Sequence, residues 1–164
     1  MDKELLNTAE RLGKVLLQAG AKVAAAESCT SGLVSSALGA ASDSSSYFTS
    51  GFVTYTDSAK HRILHVSEKT LQEHTAVSEA TAREMAAGAK EVSGEKASIA
   101  VTGYAGPDGG EDGTPAGTVW FGWGLPDGEV RALKQHFSGD CEEVVRKAAL
   151  FALQHLTELL QSQR

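Results

Sequence analysis

The sequence predicts a three-layer α/β/α fold with a mixed, mostly parallel central sheet. Helix and strand patterns alternate over the first hundred residues, and a β-hairpin pattern then precedes a closing helix. Such alternation is typical of parallel strands covered by helices, and the hairpin adds antiparallel strands toward one edge. No repeat, linker or charge block divides the chain, so we expect a single domain over residues 1–164.

The first half of the chain predicts three helices and two strands. Apolar residues at helical spacing over 3–19 indicate a helix that Gly20 ends. "KVAAAES" predicts a short buried strand, and "TSGLVSSALGAA" predicts a helix of small residues with Thr30 as its N-cap. "GFVTYT" has the β-branched and aromatic residues of a strand. Asp57 is predicted to cap a helix that runs through Leu64.

The second half predicts three helices, a strand and a hairpin. Ser67 is predicted to cap a short helix, and a long helix over 78–93 ends at Gly94. "KASIAVTG" indicates a buried strand, and "GTVWFGWGL" with "EVRALKQHF" indicates the hairpin. Asp140 and Glu143 have the spacing of a capping box at the start of the last helix.

Composition and charge exclude several classes of function. The net charge of −6 comes without a basic face, which argues against nucleic-acid and membrane-surface binding. No apolar run is long enough for a membrane span, and the charged, amphipathic start does not resemble a signal peptide. Cys29 and Cys141 form no Cys-x-x-Cys pair and are interpreted as reduced thiols, so we expect a cytoplasmic protein.

The histidines predict no metal site. Only His61 and His65 have a spacing that would place two of them on one helix face, and no zinc motif surrounds them. No Gly-x-Ser-x-Gly sequence marks a nucleophile either. We therefore expect neither a metal nor another cofactor.

Three loops at strand ends are the candidate site: 27–32, 43–50 and 102–116. In "ESCTSG", the backbone N–H groups from Cys29 to Gly32 can bind phosphate, a carboxylate or a developing oxyanion; alternatively, Ser28 and Thr30 only cap the helix. "TGYAGPDGG" is dense in glycine, which allows its backbone to approach a ligand closely.

The stretch "DSSSYFTSGFVTYTDSAK" leaves two interpretations open. If Lys60 is shielded from water near a helix N-terminus, its pKa falls and its neutral amine can activate a serine. If it is exposed, the serine run is a polar turn and Lys60 is a surface lysine. The spacing alone does not choose between them.

Six stretches in order resemble the CinA C-terminal domain family, which includes stand-alone nicotinamide mononucleotide deamidases. They are "AESCTSG", "SYFTSGFVTYTDSAK", "AVSEATAREMA", "VTGYAGPDGG", "PAGTVWFG" and "FSGD". The resemblance covers about residues 3–160 and implies an amidohydrolase that converts nicotinamide mononucleotide to nicotinate mononucleotide and ammonia. It further implies a serine–lysine mechanism without a metal.

Laid on the family pattern, three residues take catalytic roles. The resemblance implies Ser45 as the nucleophile, Lys60 as its proton acceptor, and Tyr55 as a group that orients the lysine or the substrate. The predicted substrate-binding set is Ser28, Cys29, Thr30, Thr102, Gly103, Gly106, Gly109 and Arg146, with a small-molecule nucleotide as partner. The resemblance implies Ser28, Thr102 and the three glycines, whereas Cys29 and Thr30 come from the turn in "ESCTSG" and Arg146 follows Val145. Related domains tend to assemble, so a homo-oligomer is expected.

The chain also departs from the family pattern. The differences are at Ser31, Asp43, Asp57 and Ser58, and at Val145, where the family often has an arginine that can meet the phosphate. They leave an alternative to the active amidase: a catalytically weak or inactive paralogue that binds a pyridine nucleotide or a partner protein.

Overall fold

The computed structural model describes residues 1–163 as helices alternating with the strands of one sheet. In chain order the elements are α1 (Lys3–Ala19), β1 (Val23–Glu27), α2 (Leu33–Ala40), a 3-10 turn (Ser44–Ser46), β2 (Phe48–Val53), α3 (Asp57–Leu64), α4 (Glu68–His74), α5 (Glu79–Ser93), β3 (Ala97–Gly103), β4 (Thr118–Gly124), β5 (Val130–His136) and α6 (Cys141–Ser162). No helix within residues 1–163 has the length and apolar character needed to cross a bilayer.

The sheet has the order β2-β1-β3-β4-β5, with β2, β1 and β3 parallel and the β4–β5 hairpin antiparallel. Helices α1, α2 and α6 pack on one face, around buried residues such as Leu12, Trp123 and Leu153. Helices α3, α4 and α5 cover the other face, where Leu64 and Met85 are buried. The three-layer α/β/α prediction is confirmed.

Small residues allow α5 to lie close to the sheet. Strand β1, which lies between β2 and β3, is buried along its whole length and contains three consecutive alanines. In β4, a Cβ atom added to Gly122 would lie 2.4 Å from the carbonyl oxygen of Ala82 in α5. Any larger residue there would push α5 and the segment before it away from the sheet.

Two predicted helix caps are wrong. Helix α2 begins at Leu33, after Gly32 in a left-handed conformation, and the Thr30 hydroxyl donates to Glu27 instead of capping the helix. Asp57 is the first residue of α3, and the Thr56 hydroxyl accepts from the Ala59 N–H as the true cap. The true cap lies two residues after the predicted one in α2 and one residue before it in α3, and the predicted Thr and Asp are both residue types that N-caps accept.

The direction of the strands decides which loops meet. Since β1, β2 and β3 are parallel, Ser28, Thr54 and the segment after Gly103 all emerge at one edge of the sheet, which we call the carboxyl edge. The 3-10 turn Ser44–Ser46 precedes β2 and therefore lies at the opposite edge. The predicted loops 27–32 and 102–116 come together, and 43–50 does not join them.

Candidate active site

Lys60 is a buried lysine at the carboxyl edge, with only 1% of its surface exposed. Its Nζ donates to Ser28 Oγ at 3.0 Å, to the Thr54 carbonyl at 2.9 Å and to the Tyr55 carbonyl at 3.4 Å. Burial lowers the pKa of Lys60, because it penalises the charged form, while the nearby Asp57 acts in the opposite direction. Of the two interpretations of Lys60, the structure supports the one in which the amine is shielded.

Ser28, the partner of Lys60, sits on a tight turn between β1 and α2. Its backbone N–H donates to the Val101 carbonyl of β3, and its own carbonyl accepts from the Ser31 N–H. Ser31 and Gly32 both have positive φ, at 48° and 101°, so the chain reverses within a few residues. The turn leaves Ser28 Oγ facing the Lys60 amine, just beyond the paired ends of β1 and β2.

Glu27 is a buried carboxylate that fixes this turn, and sequence reasoning missed it. It accepts from the Thr30 hydroxyl, the Val34 N–H, and both the N–H and the hydroxyl of Ser35, at 2.6–2.9 Å. These contacts satisfy the free N–H groups at the start of α2 and replace a side-chain cap. The available signal was an acid ending an otherwise apolar strand, where burial requires strong hydrogen-bond partners.

We expect Glu27→Gln to lower the free energy of unfolding by about 2–4 kcal/mol, because the Gln amide would turn a donor toward groups that are themselves donors. Urea unfolding measures the change. Glu79→Gln is the matched control, since Glu79 is in the first turn of α5 and pairs with Arg83 at an exposed site; a change below about 1 kcal/mol is expected there. Equal effects in the two variants would contradict the role of Glu27.

A cleft of about 280 Å³ opens beside the Lys60–Ser28 pair. Its wall includes seven of the residues predicted for the site: Ser28, Cys29, Tyr55, Lys60, Thr102, Gly103 and Gly106. Ala76, Val77, Tyr104, Ala105 and Asp108 complete the lining. The cleft is therefore built from the ends of β1, β2 and β3, as expected for a ligand site in a sheet of this kind.

Ser45 does not reach this cleft, and the predicted Ser45–Lys60 pair is wrong. Ser45 lies in the 3-10 turn before β2, whereas Lys60 follows the end of that strand. The six residues of β2 make five steps of about 3.3 Å each, which separate the two ends by about 17 Å. The serine run forms a turn, in which the Ser46 and Tyr47 N–H groups donate to the carbonyls of Asp43 and Ser44.

Three other predicted contacts also lie away from the cleft wall. The Thr30 hydroxyl is held by Glu27. A Cβ atom on Gly109 would lie 2.1 Å from the Thr114 carbonyl oxygen, so this glycine closes the 103–117 loop on itself. Arg146 is paired with Asp2 and Glu4 at the start of α1. The structure does not bring any of these three to the Lys60–Ser28 pair.

Cys29 and Tyr55 are less suited than Ser28 to act as the nucleophile in the cleft. Burial raises the pKa of the Cys29 thiol to about 12, so this residue is a poor source of thiolate. Tyr55 approaches Lys60 with its backbone carbonyl, while its side chain is 66% exposed at the rim. Among the cleft residues, Ser28 is thus the hydroxyl that is placed beside a base.

Together, these features define an α/β/α protein with a buried serine–lysine pair at the carboxyl edge of its sheet. The model of the CinA C-terminal domain matches residues 5–160. The chain belongs to the CinA C-terminal domain family.

Similar proteins cover nearly the whole chain. It is 49% identical to Protein YdeJ of Escherichia coli strain K12, over 94% of this chain and 89% of that protein. It is 46% identical to the nicotinamide-nucleotide amidohydrolase PncC of Enterobacter agglomerans, over 93% of each chain. The crystal structure of competence damage-inducible protein A from Klebsiella pneumoniae matches with a TM-score of 0.95 at 43% identity, over 98% of this chain and 99% of that one.

Proposed function

We propose that this protein is an amidohydrolase that converts nicotinamide mononucleotide to nicotinate mononucleotide and ammonia, with Ser28 as nucleophile and Lys60 as its base. The observation that carries the proposal is the 3.0 Å contact between Lys60 Nζ and Ser28 Oγ at the wall of the cleft. The substrate is suggested by relatives named nicotinamide-nucleotide amidohydrolase, at 46% and 43% identity.

The contacts of Lys60 suit the task of a base. A neutral amine has two N–H donors and one lone pair. The Thr54 and Tyr55 carbonyls can each accept one N–H, at 2.9 and 3.4 Å. That arrangement directs the lone pair toward Ser28 Oγ, which then donates its proton to the lysine. Burial favours this neutral state by lowering the pKa of Lys60.

The reaction follows in two halves. Lys60 takes the Ser28 proton as Oγ attacks the carboxamide carbon, and the tetrahedral intermediate collapses when Lys60 returns that proton to the departing ammonia. The product is an ester between Ser28 and the nicotinoyl group. Water then attacks the ester with Lys60 as base, which releases nicotinate mononucleotide and restores the serine.

The oxyanion of the intermediate needs donors other than Thr102. The Thr102 hydroxyl donates to the Ala76 carbonyl at 2.7 Å, so its proton is engaged in holding the 76–77 segment against the sheet. We assign the oxyanion contact to backbone N–H groups of the turn that follows Ser28, other than the Val34 and Ser35 N–H groups that Glu27 already binds.

Asp43 and Val145 lie away from the reacting groups, whereas Ser31 donates its N–H to the Ser28 carbonyl and Asp57 acts on the pKa of Lys60. Asp43 is at the opposite edge of the sheet, with the serine run. Ser31 and Val145 line another cleft, between α2 and α6. Asp57 and Ser58 line the cleft between α3 and α4, on the outer side of the helix that carries Lys60. None of the departures replaces Ser28 or Lys60, and the contact between these two residues favours an active enzyme over an inactive paralogue.

An ammonia-release assay with nicotinamide mononucleotide tests the proposal. We expect ammonia and nicotinate mononucleotide in equal amounts, the latter measured by chromatography. Thermal stabilisation by the substrate without ammonia release would instead indicate a nucleotide-binding paralogue, because a ligand specific to the native state raises Tm. If the substrate is not turned over and does not stabilise the protein, both the amidohydrolase and the nucleotide-binding paralogue are contradicted.

A further inference from the structure

A second cleft continues from the reactive one along the carboxyl edge. It has a volume of about 380 Å³ and lies over the end of the β4–β5 hairpin. Val77 lines both clefts, so they meet at this residue. The remaining lining residues are Thr114, Pro115, Thr118, Trp120, Lys134, Gln135 and His136.

The sheet register connects Ser28 to this second cleft. Thr102 pairs with Trp120, and Trp120 pairs with Lys134, so these residues form one row across β3, β4 and β5. Ser28 extends the row on the β1 side, because its N–H donates to Val101, the neighbour of Thr102. Strands lie about 4.8 Å apart, which places the backbone of Lys134 about 14 Å from that of Ser28.

The second cleft has an exposed positive charge, that of Lys134, which the reactive cleft lacks. Lys134 Nζ lies 5.8 Å from the centre of the Trp120 ring, a distance that allows a cation–π contact. No Asp or Glu of the described residues lines this cleft. The reactive cleft contains Asp108, and its lysine is buried and engaged with Ser28.

Other clefts with cations are less suited to an anion. Arg62 shares its cleft with Asp57 and Glu68. Arg146 shares its cleft with Asp2 and Glu142, and is itself paired with Asp2. In an acidic protein of net charge −6, a lysine whose cleft has no acid is the more favourable place for a phosphate.

We propose that the cleft over Trp120 and Lys134 binds the phosphate of the substrate, with Lys134 as its cation and the hydroxyl of Thr118 as a further donor. This proposal rests on the proposed function for the identity of the substrate. The carboxamide then lies at Ser28, and the ribose crosses the ridge formed by Val77. Lys134 is thus a specificity residue for phosphorylated nicotinamide nucleosides.

The test compares nicotinamide mononucleotide with nicotinamide riboside, which has the same amide and ribose without the phosphate. We expect Lys134→Gln to raise KM for the mononucleotide about 10-fold or more, with little change in kcat and none in kcat/KM for the riboside. Lys134→Arg, which keeps the charge, should restore most of the affinity. Lys96→Gln is the matched control, since Lys96 is exposed just before β3 at the opposite edge.

Three results would each overturn the phosphate site. They are an equal loss of kcat/KM on both compounds in Lys134→Gln, no loss on either compound, or the same loss in Lys96→Gln. A binding experiment separates this failure from failure of the proposed function. If the wild-type protein turns over neither compound, calorimetric titration with ribose 5-phosphate, compared with ribose, still tests the cleft. Binding of the phosphate compound that is lost in Lys134→Gln supports the site, and absence of binding to the wild type rejects it.

Discussion

Ser28→Ala is expected to lower kcat for deamidation of nicotinamide mononucleotide by about 10⁴-fold or more, with a small effect on KM. Without the hydroxyl, no group in the cleft is both nucleophilic and placed beside the base, since burial raises the pKa of the neighbouring Cys29 thiol to about 12. The substitution removes one hydroxyl from a buried position, so the protein should still fold. Steady-state ammonia release, with circular dichroism as the check on folding, makes the measurement.

Ser45→Ala is the matched control for that experiment. Ser45 is a serine at the opposite edge of the sheet, in the turn before β2. We expect it to retain kcat within about twofold of the wild type, because its substitution changes a surface turn. If Ser45→Ala abolished turnover and Ser28→Ala did not, the assignment of the nucleophile would be rejected, and with it the role given to the turn after β1.

The sequence was sufficient to predict the fold because its patterns are local. The run of alanines in β1 predicts a short buried strand, and the Pro126-Asp127-Gly128 turn predicts the hairpin. The capping box at Asp140 and Glu143 is present as predicted. Each of these signals lies within a few residues of the structure it specifies, so no knowledge of strand order is needed to interpret it.

The serine–lysine pair could not be predicted in the same way, because it depends on register between strands. Ser28 and Lys60 are 32 residues apart and meet only because β1 and β2 are parallel neighbours that end together. The resemblance to the family implied Ser45 as the nucleophile, but Ser45 precedes β2 and therefore lies at the far edge of the sheet. The resemblance implied Lys60 as the base, and the burial of this residue supports the interpretation in which its amine is shielded.

The buried Glu27 carboxylate illustrates a different limit of prediction from sequence. A single acid after four apolar residues is visible in the sequence, but its partners in α2 lie up to eight residues ahead. The N-cap rules instead favoured Thr30, whose hydroxyl turned out to be one of the donors to Glu27. Because helix N-termini accept either a local cap or a buried carboxylate, the correct choice required the packing of α2 against β1.

Lys60→Met is expected to lower kcat by about 10²–10⁴-fold while preserving the fold. Methionine fills a similar apolar volume but has no amine to take the Ser28 proton. Lys60→Arg should not rescue activity, because a guanidinium does not lose its proton at accessible pH. Retention of more than a tenth of wild-type kcat in Lys60→Met would exclude Lys60 as the base.

The pH profile of the wild-type enzyme gives an independent view of the same group. A base acts in its neutral form, so kcat/KM should rise with pH through the pKa of Lys60. Because burial lowers that pKa, the rise should occur below 10.5, the ordinary lysine value. The residual activity of Lys60→Met should lack this rise of kcat/KM with pH. If kcat/KM of the variant rose with pH in the same way as that of the wild type, the titrating group would be another residue.

Stability should respond to pH through Lys60 in a defined direction. A lysine whose pKa is lowered in the folded state binds fewer protons there than in the unfolded chain. Wild-type stability, measured relative to Lys60→Met, should therefore rise with pH between the lowered pKa and 10.5, and be constant below that window. Urea unfolding of the two proteins across this range makes the comparison, in which other titrating groups cancel. A difference that stayed constant, or moved the other way, would show that the buried amine keeps its ordinary proton affinity and could not serve Ser28 as a base near neutral pH.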